Sequence, residues 1–305
     1  MNTEINLGGI VMKNPVMVAS GTFGYGREYG EFYDLNRLGA LVPKTVTPLL
    51  RNGNPQPRTA EVYGGMLNSI GLQNPGIDGY EQEVLPFLEQ LRVPIIANIS
   101  GFSTEDFVKI ARRLSISQIA GLELNISCPN VEKRPFGKDP TLTYEIVHAV
   151  RQETDKPLIV KLTPDVTNII GIAEAAQEAG ADALAMVNTV TGMAIDIETR
   201  KPRIHGGGRY MGGLSGPGIK PIGIAKVYQV YHSGNPLPIV GIGGISNADD
   251  AIEYMLAGAT AVSVGTANFT NPMAPIETIE GIEDYMRRHN VEDVNELIGA
   301  MEELE

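Results

Sequence analysis

Leu122-Glu123-Leu124-Asn125-Ile126-Ser127, then a helix opening at Asp139-Pro140, then Leu158-Ile159-Val160-Lys161-Leu162-Thr163: this stretch decides the fold. Each flanking run is short, apolar at its start and bounded by turn residues, as a strand is. Between them Asp139 offers an N-cap oxygen, and Pro140 takes the first helical position, where its missing N–H costs nothing. Strand, helix, strand implies parallel pairing through a right-handed crossover. The same alternation continues on both sides, with strands expected at Pro15–Ala19, Ala40–Val46 and Pro94–Ile99 before it and at Ala183–Asn188, Ile239–Ile242 and Ala261–Gly265 after it. Ser246 followed by Asp249 reads as a capping box opening the helix after the seventh strand. Eight β-then-α units close into an α/β (β/α)8 TIM barrel, with an open doubly wound sheet as the alternative. The 305 residues suit a barrel of about 250 residues plus insertions. No Pro/Gly/Ser linker divides the chain, so residues 1–305 read as a single barrel domain.

Three connections are long: Thr47–Gly79, Cys128–Asp139 and Thr189–Lys220. Each follows a strand, which puts all three at the C-terminal face, where barrel enzymes carry their sites. The first holds two short β-like pieces, around Glu61-Val62-Tyr63 and around Asn68-Ser69-Ile70-Gly71-Leu72. The third, with Gly206 to Gly208, Gly212, Gly213, Gly216 and Gly218, reads as a mobile or backbone-contacting loop.

Composition narrows the function classes. The formal net charge of −12 leaves no basic run to neutralise phosphates, so neither nucleic acid nor an anionic membrane is an expected partner. No apolar run approaches the roughly 20 residues of a membrane span, and the N-terminus lacks a signal-peptide pattern, so the chain reads as cytoplasmic. The single cysteine, Cys128, allows no intrachain disulfide and no iron–sulfur ligand set. His148, His205, His232 and His289 lack ligand spacing and read as surface or helix residues; no metal site is expected.

The chemistry gathers at strand ends. They carry Lys44-Thr45, Asn98 and Ser100, then Glu123, Asn125 and Ser127 on one face, then Lys161 and Thr163, then Asn188-Thr189. Ordinary barrel layers hold one or two polar residues that satisfy each other. Two lysines and three asparagines are too many for that reading, since each would cost on the order of 1–3 kcal/mol if buried unpaired. After the seventh and eighth strands, Gly241-Ile242-Gly243-Gly244 and Gly265-Thr266 offer backbone amides that, with a helix N-terminus, suit a flavin mononucleotide phosphate or a sugar phosphate equally. Cys128 heads a catalytic-face connection, with Pro129 behind it stiffening the turn. A lone cysteine is usually a small core hydrophobe; at this place it also qualifies as a general base.

Ser20-Gly21-Thr22, Lys44-Thr45, Asn68-Ser69-Ile70-Gly71-Leu72, Asn125-Ile126-Ser127-Cys128-Pro129-Asn130, Lys161, Asn188-Thr189, Gly213-Leu214-Ser215-Gly216 and the two glycine turns together resemble the class 1 dihydroorotate dehydrogenases. The resemblance runs in order from about Leu7 to Asn271. Cysteine in place of serine is similar to the soluble class 1 enzymes. Leu162-Thr163-Pro164-Asp165-Val166 and the Gly-Gly-Leu-Ser-Gly-Pro segment resemble class 1B, whose FMN-bearing catalytic subunit passes electrons to NAD through a partner subunit holding FAD and an iron–sulfur cluster. His205–Met211 matches nothing in that pattern.

The resemblance implies oxidation of dihydroorotate to orotate in pyrimidine biosynthesis. Cys128 would take the C5 proton while hydride leaves C6 for FMN, and Lys161 would stabilise charge on the flavin. FMN would be held by Ser20, Lys44, Thr45, Asn98, Asn125, Lys161, Val187, Gly216, Gly243, Gly244, Gly265 and Thr266. Substrate would meet Lys44, Asn68, Ser69, Ile70, Gly71, Leu72, Asn125, Asn130, Asn188 and Thr189. A homodimer core with two electron-transfer subunits is the implied assembly. The rivals are the fumarate-linked class 1A enzymes, a dihydropyrimidine dehydrogenase barrel, against which Lys44 argues by favouring a carboxylated ring, and a flavin-free lyase or isomerase acting on a sugar phosphate.

Overall fold

The computed structural model describes residues 1–127 and 136–304. Cys128, Pro129 and Asn130 lie outside the described residues. Eight parallel strands form the central sheet: β1 (Val16–Val18), β2 (Ala40–Leu41), β3 (Ile96–Ile99), β4 (Gly121–Asn125), β5 (Leu158–Leu162), β6 (Ala183–Met186), β7 (Ile239–Ile242) and β8 (Ala261–Val264). Their order is β2-β1-β8-β7-β6-β5-β4-β3. The ends meet where the Leu41 N–H donates to the Pro94 carbonyl, the Val46 N–H to Asn98 and the Ser100 N–H to Val46, at 2.9, 2.9 and 3.0 Å. That closes the barrel and removes the open-sheet alternative.

Every expected strand is present; only Ile239–Ile242 keeps its expected bounds, most of the others are trimmed by one or two residues, and two end early for identifiable physical reasons. The second ends at Leu41, before Lys44-Thr45, because Pro43 has no N–H to carry the ladder on; pairing resumes as a single bridge between Val46 and Ile99. The fourth ends at Asn125, where the Ile126 N–H turns back to the Leu124 carbonyl at 3.1 Å, so Ser127 sits in a turn and not in the strand.

Helices cover the barrel as α1 (Thr104–Leu114), α2 (Pro140–Arg151), α3 (Ile169–Glu178), α4 (Lys220–His232), α5 (Ala248–Leu256) and α6 (Ala274–His289). In α1 the buried Phe107, Ile110, Ala111 and Leu114 recur at helical spacing on one face, each large side chain worth roughly 1.5–3 kcal/mol when fully buried. Asp139 caps α2, accepting from the Leu142 N–H at 3.1 Å. The cap of α5 is Asn247 rather than Ser246: Asn247 accepts from the Asp250 N–H at 3.1 Å, while the Ser246 N–H itself donates to the Asp250 carboxylate at 2.8 Å. After β1 the chain makes only short 3₁₀ turns, and after β2 a helical run from Gly76 to Leu88.

Two of the long connections build a second sheet above the C-terminal face. Its antiparallel order is Val190–Gly192, Gly212–Ser215, Gly65–Asn68, Thr59–Val62. The glycine-rich connection is therefore backbone-contacting through much of its length. No helix among the described residues is long and apolar enough to cross a membrane.

Candidate active site

Parallel register fixes which strand-end side chains meet. Asn98 on β3 lies opposite Glu123 on β4, and Asn125 on β4 opposite Lys161 on β5. Residues in register point to the same side, so all four enter the barrel. Glu123 Oε1 accepts from the Asn98 side-chain amide at 2.5 Å and lies 3.6 Å from Lys161 Nζ. Glu123 and Asn98 are each 1% exposed and Lys161 5%. Asn98 Oδ1 is buried with no hydrogen-bond partner among the described residues.

A second group stands beside it. Asn125 Oδ1 accepts from the Ser127 hydroxyl at 2.9 Å and from the Asn188 amide at 3.3 Å, and the Asn188 amide also donates to Ser127 Oγ. Asn188 is fixed through its backbone, its N–H donating to the Leu162 carbonyl of β5 at 2.8 Å, and its Oδ1 takes the Thr189 N–H at 2.8 Å. Val187, just before it, is buried and donates to the Ile242 carbonyl at 2.9 Å. Much of this polar set is thus satisfied internally, more than the count of polar residues implies; Asn98 Oδ1 is what stays open.

Ser20 and Thr45 face each other from the segments that follow the first two strands, hydroxyl to hydroxyl at 3.2 Å. Lys44 Nζ comes over the same turn: a Cβ on Gly21 would stand 3.6 Å from it. On the opposite side the expected phosphate residues converge. A Cβ on Gly244 (φ +72°) would lie 2.9 Å from the Gly216 carbonyl, so only glycine lets these two backbones touch. Thr266 donates its hydroxyl to Ser215 Oγ at 2.7 Å, tying the Gly265 turn to the upper sheet. Behind the turn, the Tyr254 hydroxyl donates to the Gly243 carbonyl at 2.8 Å. Burial, then the charges of Asp250 and Glu253, holds that phenol well above the ordinary tyrosine range, so it stays a neutral donor. The helix N-terminus is less available than expected, since Asn247 already takes the Asp250 amide of its first turn and the Asp250 carboxylate takes the Ser246 amide just before it.

Asn68 ends a strand of the upper sheet, its amide donating to the Gly213 carbonyl at 3.2 Å. Ser69, Ile70 and Gly71 bond within their own connection, to Asn54 and Arg51, and Leu72 turns through a left-handed backbone with its carbonyl held by Asn74. Sequence reasoning does not find these holding residues, nor Tyr254, and it quotes Ser215 only inside a motif, with no role of its own. Arg51, Asn54 and Asn74 carry no motif, and they act only because the connection folds back on itself. Of the histidines, His148, His232 and His289 stack on Tyr144, Tyr228 and Tyr285 one helical turn earlier, which supports the helix reading. His205 is bound by its N–H to the Pro57 carbonyl, so the unmatched segment joins the two upper connections.

The arrangement brings together a buried cation, amides that can both donate and accept, paired hydroxyls and glycine turns around the C-terminal mouth of a barrel. A family model described as dihydroorotate dehydrogenase matches residues 2–286. The chain is 51% identical over 303 residues to the "Dihydroorotate dehydrogenase B (NAD(+)), catalytic subunit" of Alkaliphilus metalliredigens, covering 99% of each. It is 52% identical over 302 residues to the protein of the same name from Alkaliphilus oremlandii, covering 98% of this chain and 99% of the relative. With that of Caldicellulosiruptor saccharolyticus it shares 52% over 301 residues, at 98% and 99% coverage. A match of this extent, on a barrel whose strand ends carry this set of residues, means that the chain belongs to the dihydroorotate dehydrogenase family.

Proposed function

We propose that this chain oxidises dihydroorotate to orotate in pyrimidine biosynthesis as the FMN-bearing catalytic subunit of a class 1B enzyme, its electrons passing through a partner subunit to NAD. The whole chain serves as one barrel unit in this reading. The observation that carries it is the Lys161–Glu123–Asn98 line beside the Asn125–Ser127–Asn188 group, in a chain about half identical over nearly its full length to NAD-linked catalytic subunits.

The residues present fit FMN. Asn98 Oδ1 is a buried acceptor that a ring N–H would satisfy, and the Gly216, Gly243, Gly244, Gly265 and Thr266 cluster offers backbone and one hydroxyl, as a phosphate needs. Ser20, Lys44, Thr45, Asn125 and Val187 complete the cofactor contacts. When bound, FMN supplies the hydride acceptor. Lys161 would supply a positive charge beside the bound flavin to stabilise its reduced form. Cys128 removes the C5 proton of dihydroorotate. Lys44 provides a point charge for the ring carboxylate. Asn68, Asn125, Asn130 and Asn188 match a uracil-like edge because each amide both donates and accepts, with Ser69 to Leu72 and Thr189 closing the pocket from above. The partner subunit carries FAD and an iron–sulfur cluster, two such subunits flank a homodimer, and the assembly works in the cytoplasm.

The test is a visible spectrum of the purified protein before and after dihydroorotate is added without oxygen. Bleaching of the flavin band is the expected result. A flavin band that persists indicates another pyrimidine, and a colourless protein moves the reading to a phosphate-binding lyase or isomerase.

A further inference from the structure

We propose that Glu123 is the positioning residue for Lys161 and, through it, sets the reduction potential of the bound flavin; the inference rests on the FMN reading of the site. Register places Glu123 and Asn98 level with each other, and Lys161 level with Asn125 two residues nearer the C-terminal mouth. The carboxylate therefore lies in the layer below the lysine. One oxygen, Oε1, meets both neighbours: the Asn98 amide at 2.5 Å from one adjacent strand and Lys161 Nζ at 3.6 Å from the other.

Nothing about barrel packing asks for an acid here. The residue in register with Glu123 on β5 is Ile159, an apolar layer residue. A carboxylate held 1% exposed in that layer is costly to desolvate, and Asn98 and Lys161 are the partners among the described residues that offset the cost. Lysine is a point charge on a flexible stem, with no fork geometry to orient it. Anchored from below by Glu123, its head stays at the floor of the pocket. Asn98 in turn is turned by the same oxygen: its amide is committed to Glu123, which leaves Oδ1 directed elsewhere, buried and without a partner among the described residues. Glu123 thus determines where the cation sits and which end of Asn98 is on offer. Its own negative charge also lies close enough, in a medium of low dielectric constant, to moderate the field of Lys161 at the ring.

The test is the midpoint potential of the flavin in purified wild-type, Glu123→Gln and Lys161→Met proteins. Glutamine keeps the shape and can still accept from Asn98 but removes one negative charge. Glu123→Gln is expected to shift the potential positive and Lys161→Met to shift it negative. The double variant is expected to depart from the sum of the two shifts, because Glu123 acts through Lys161. Retained flavin with an unchanged potential in Glu123→Gln overturns the proposal, as does strict additivity. If Glu123→Gln holds no flavin, Glu123→Asp decides: retained flavin with a shifted potential supports the proposal, and loss of flavin or an unchanged potential overturns it. A wild-type protein that binds no flavin sinks the function reading itself, and this inference with it.

Discussion

The wall of the barrel around β3, β4 and β5 and the antiparallel sheet above its mouth shape the same pocket by opposite means. In the wall, geometry is carried by side chains: Asn98, Glu123 and Lys161 are almost wholly buried and locked by an ion pair and a short hydrogen bond. In the upper sheet the strand Gly212–Ser215 is half-buried, and geometry is carried by backbone. A Cβ on Gly213 would fall 2.2 Å from Thr189 Oγ1, so the strand lies where it does because no side chain is there. A wall built by buried charge tolerates no loss of a partner; a roof built by close backbone approach tolerates no added atom. In the proposed function the wall holds the cofactor and the roof shapes the substrate side, so the two regions should fail differently.

The largest effect is expected at Cys128, the residue assigned to proton removal and to neither region. Cys128→Ser should lower turnover at neutral pH by about 10²- to 10⁴-fold, the usual worth of a positioned general base, with FMN content unchanged. FMN lost in step with turnover would make Cys128 structural and blur the division between wall and chemistry. Next comes the roof. Gly213→Ala forces Thr189 or the strand to shift, an overpacking of about 1–3 kcal/mol. Steady-state kinetics with dihydroorotate should show the KM raised by roughly 5- to 150-fold, the range that strain of this size spans, while flavin content stays at the wild-type level. A variant that loses flavin without a change in KM would mean that roof and wall are one unit. The smallest effect is expected where the two are tied. Asp165, in the turn after β5, accepts from Thr191 through both its N–H, at 3.2 Å, and its hydroxyl, at 2.5 Å. The pair is partly exposed, so Asp165→Asn should cost about 1 kcal/mol or less, read as a small drop in melting temperature and at most a few-fold rise in KM. An effect as large as that of Gly213→Ala would place the control of the roof in this tether.

Much of the fold and of the site is legible in the order of residues alone. Runs such as Leu158–Thr163 read as strands because their apolar start and polar end are local properties, and Asp139-Pro140 reads as a helix start because capping is decided within one turn. Where the expectation fails, the cause is also local but depends on competition. Ser246 and Asn247 both suit a cap, and the choice falls to Asn247 because the Asp250 carboxylate already holds the Ser246 N–H. Ala40–Val46 reads as continuous until Pro43 is weighed against the hydrogen bonds of the ladder.

The order of residues alone carries the eight strands, most of them followed by a helix, the long connections after the second, fourth and sixth, and the lysines, asparagines and glycines clustered at one end of the sheet. It takes the folded barrel to bring Glu123 against Asn98 and Lys161 at once, Asn188 to Asn125 and Ser127, Gly213 against Thr189, and Tyr254 behind the Gly243 turn. The reason is physical. Strand and helix follow from the periodicity of neighbouring residues, whereas these partners are distant along the chain and are chosen by the register and closure of the whole barrel.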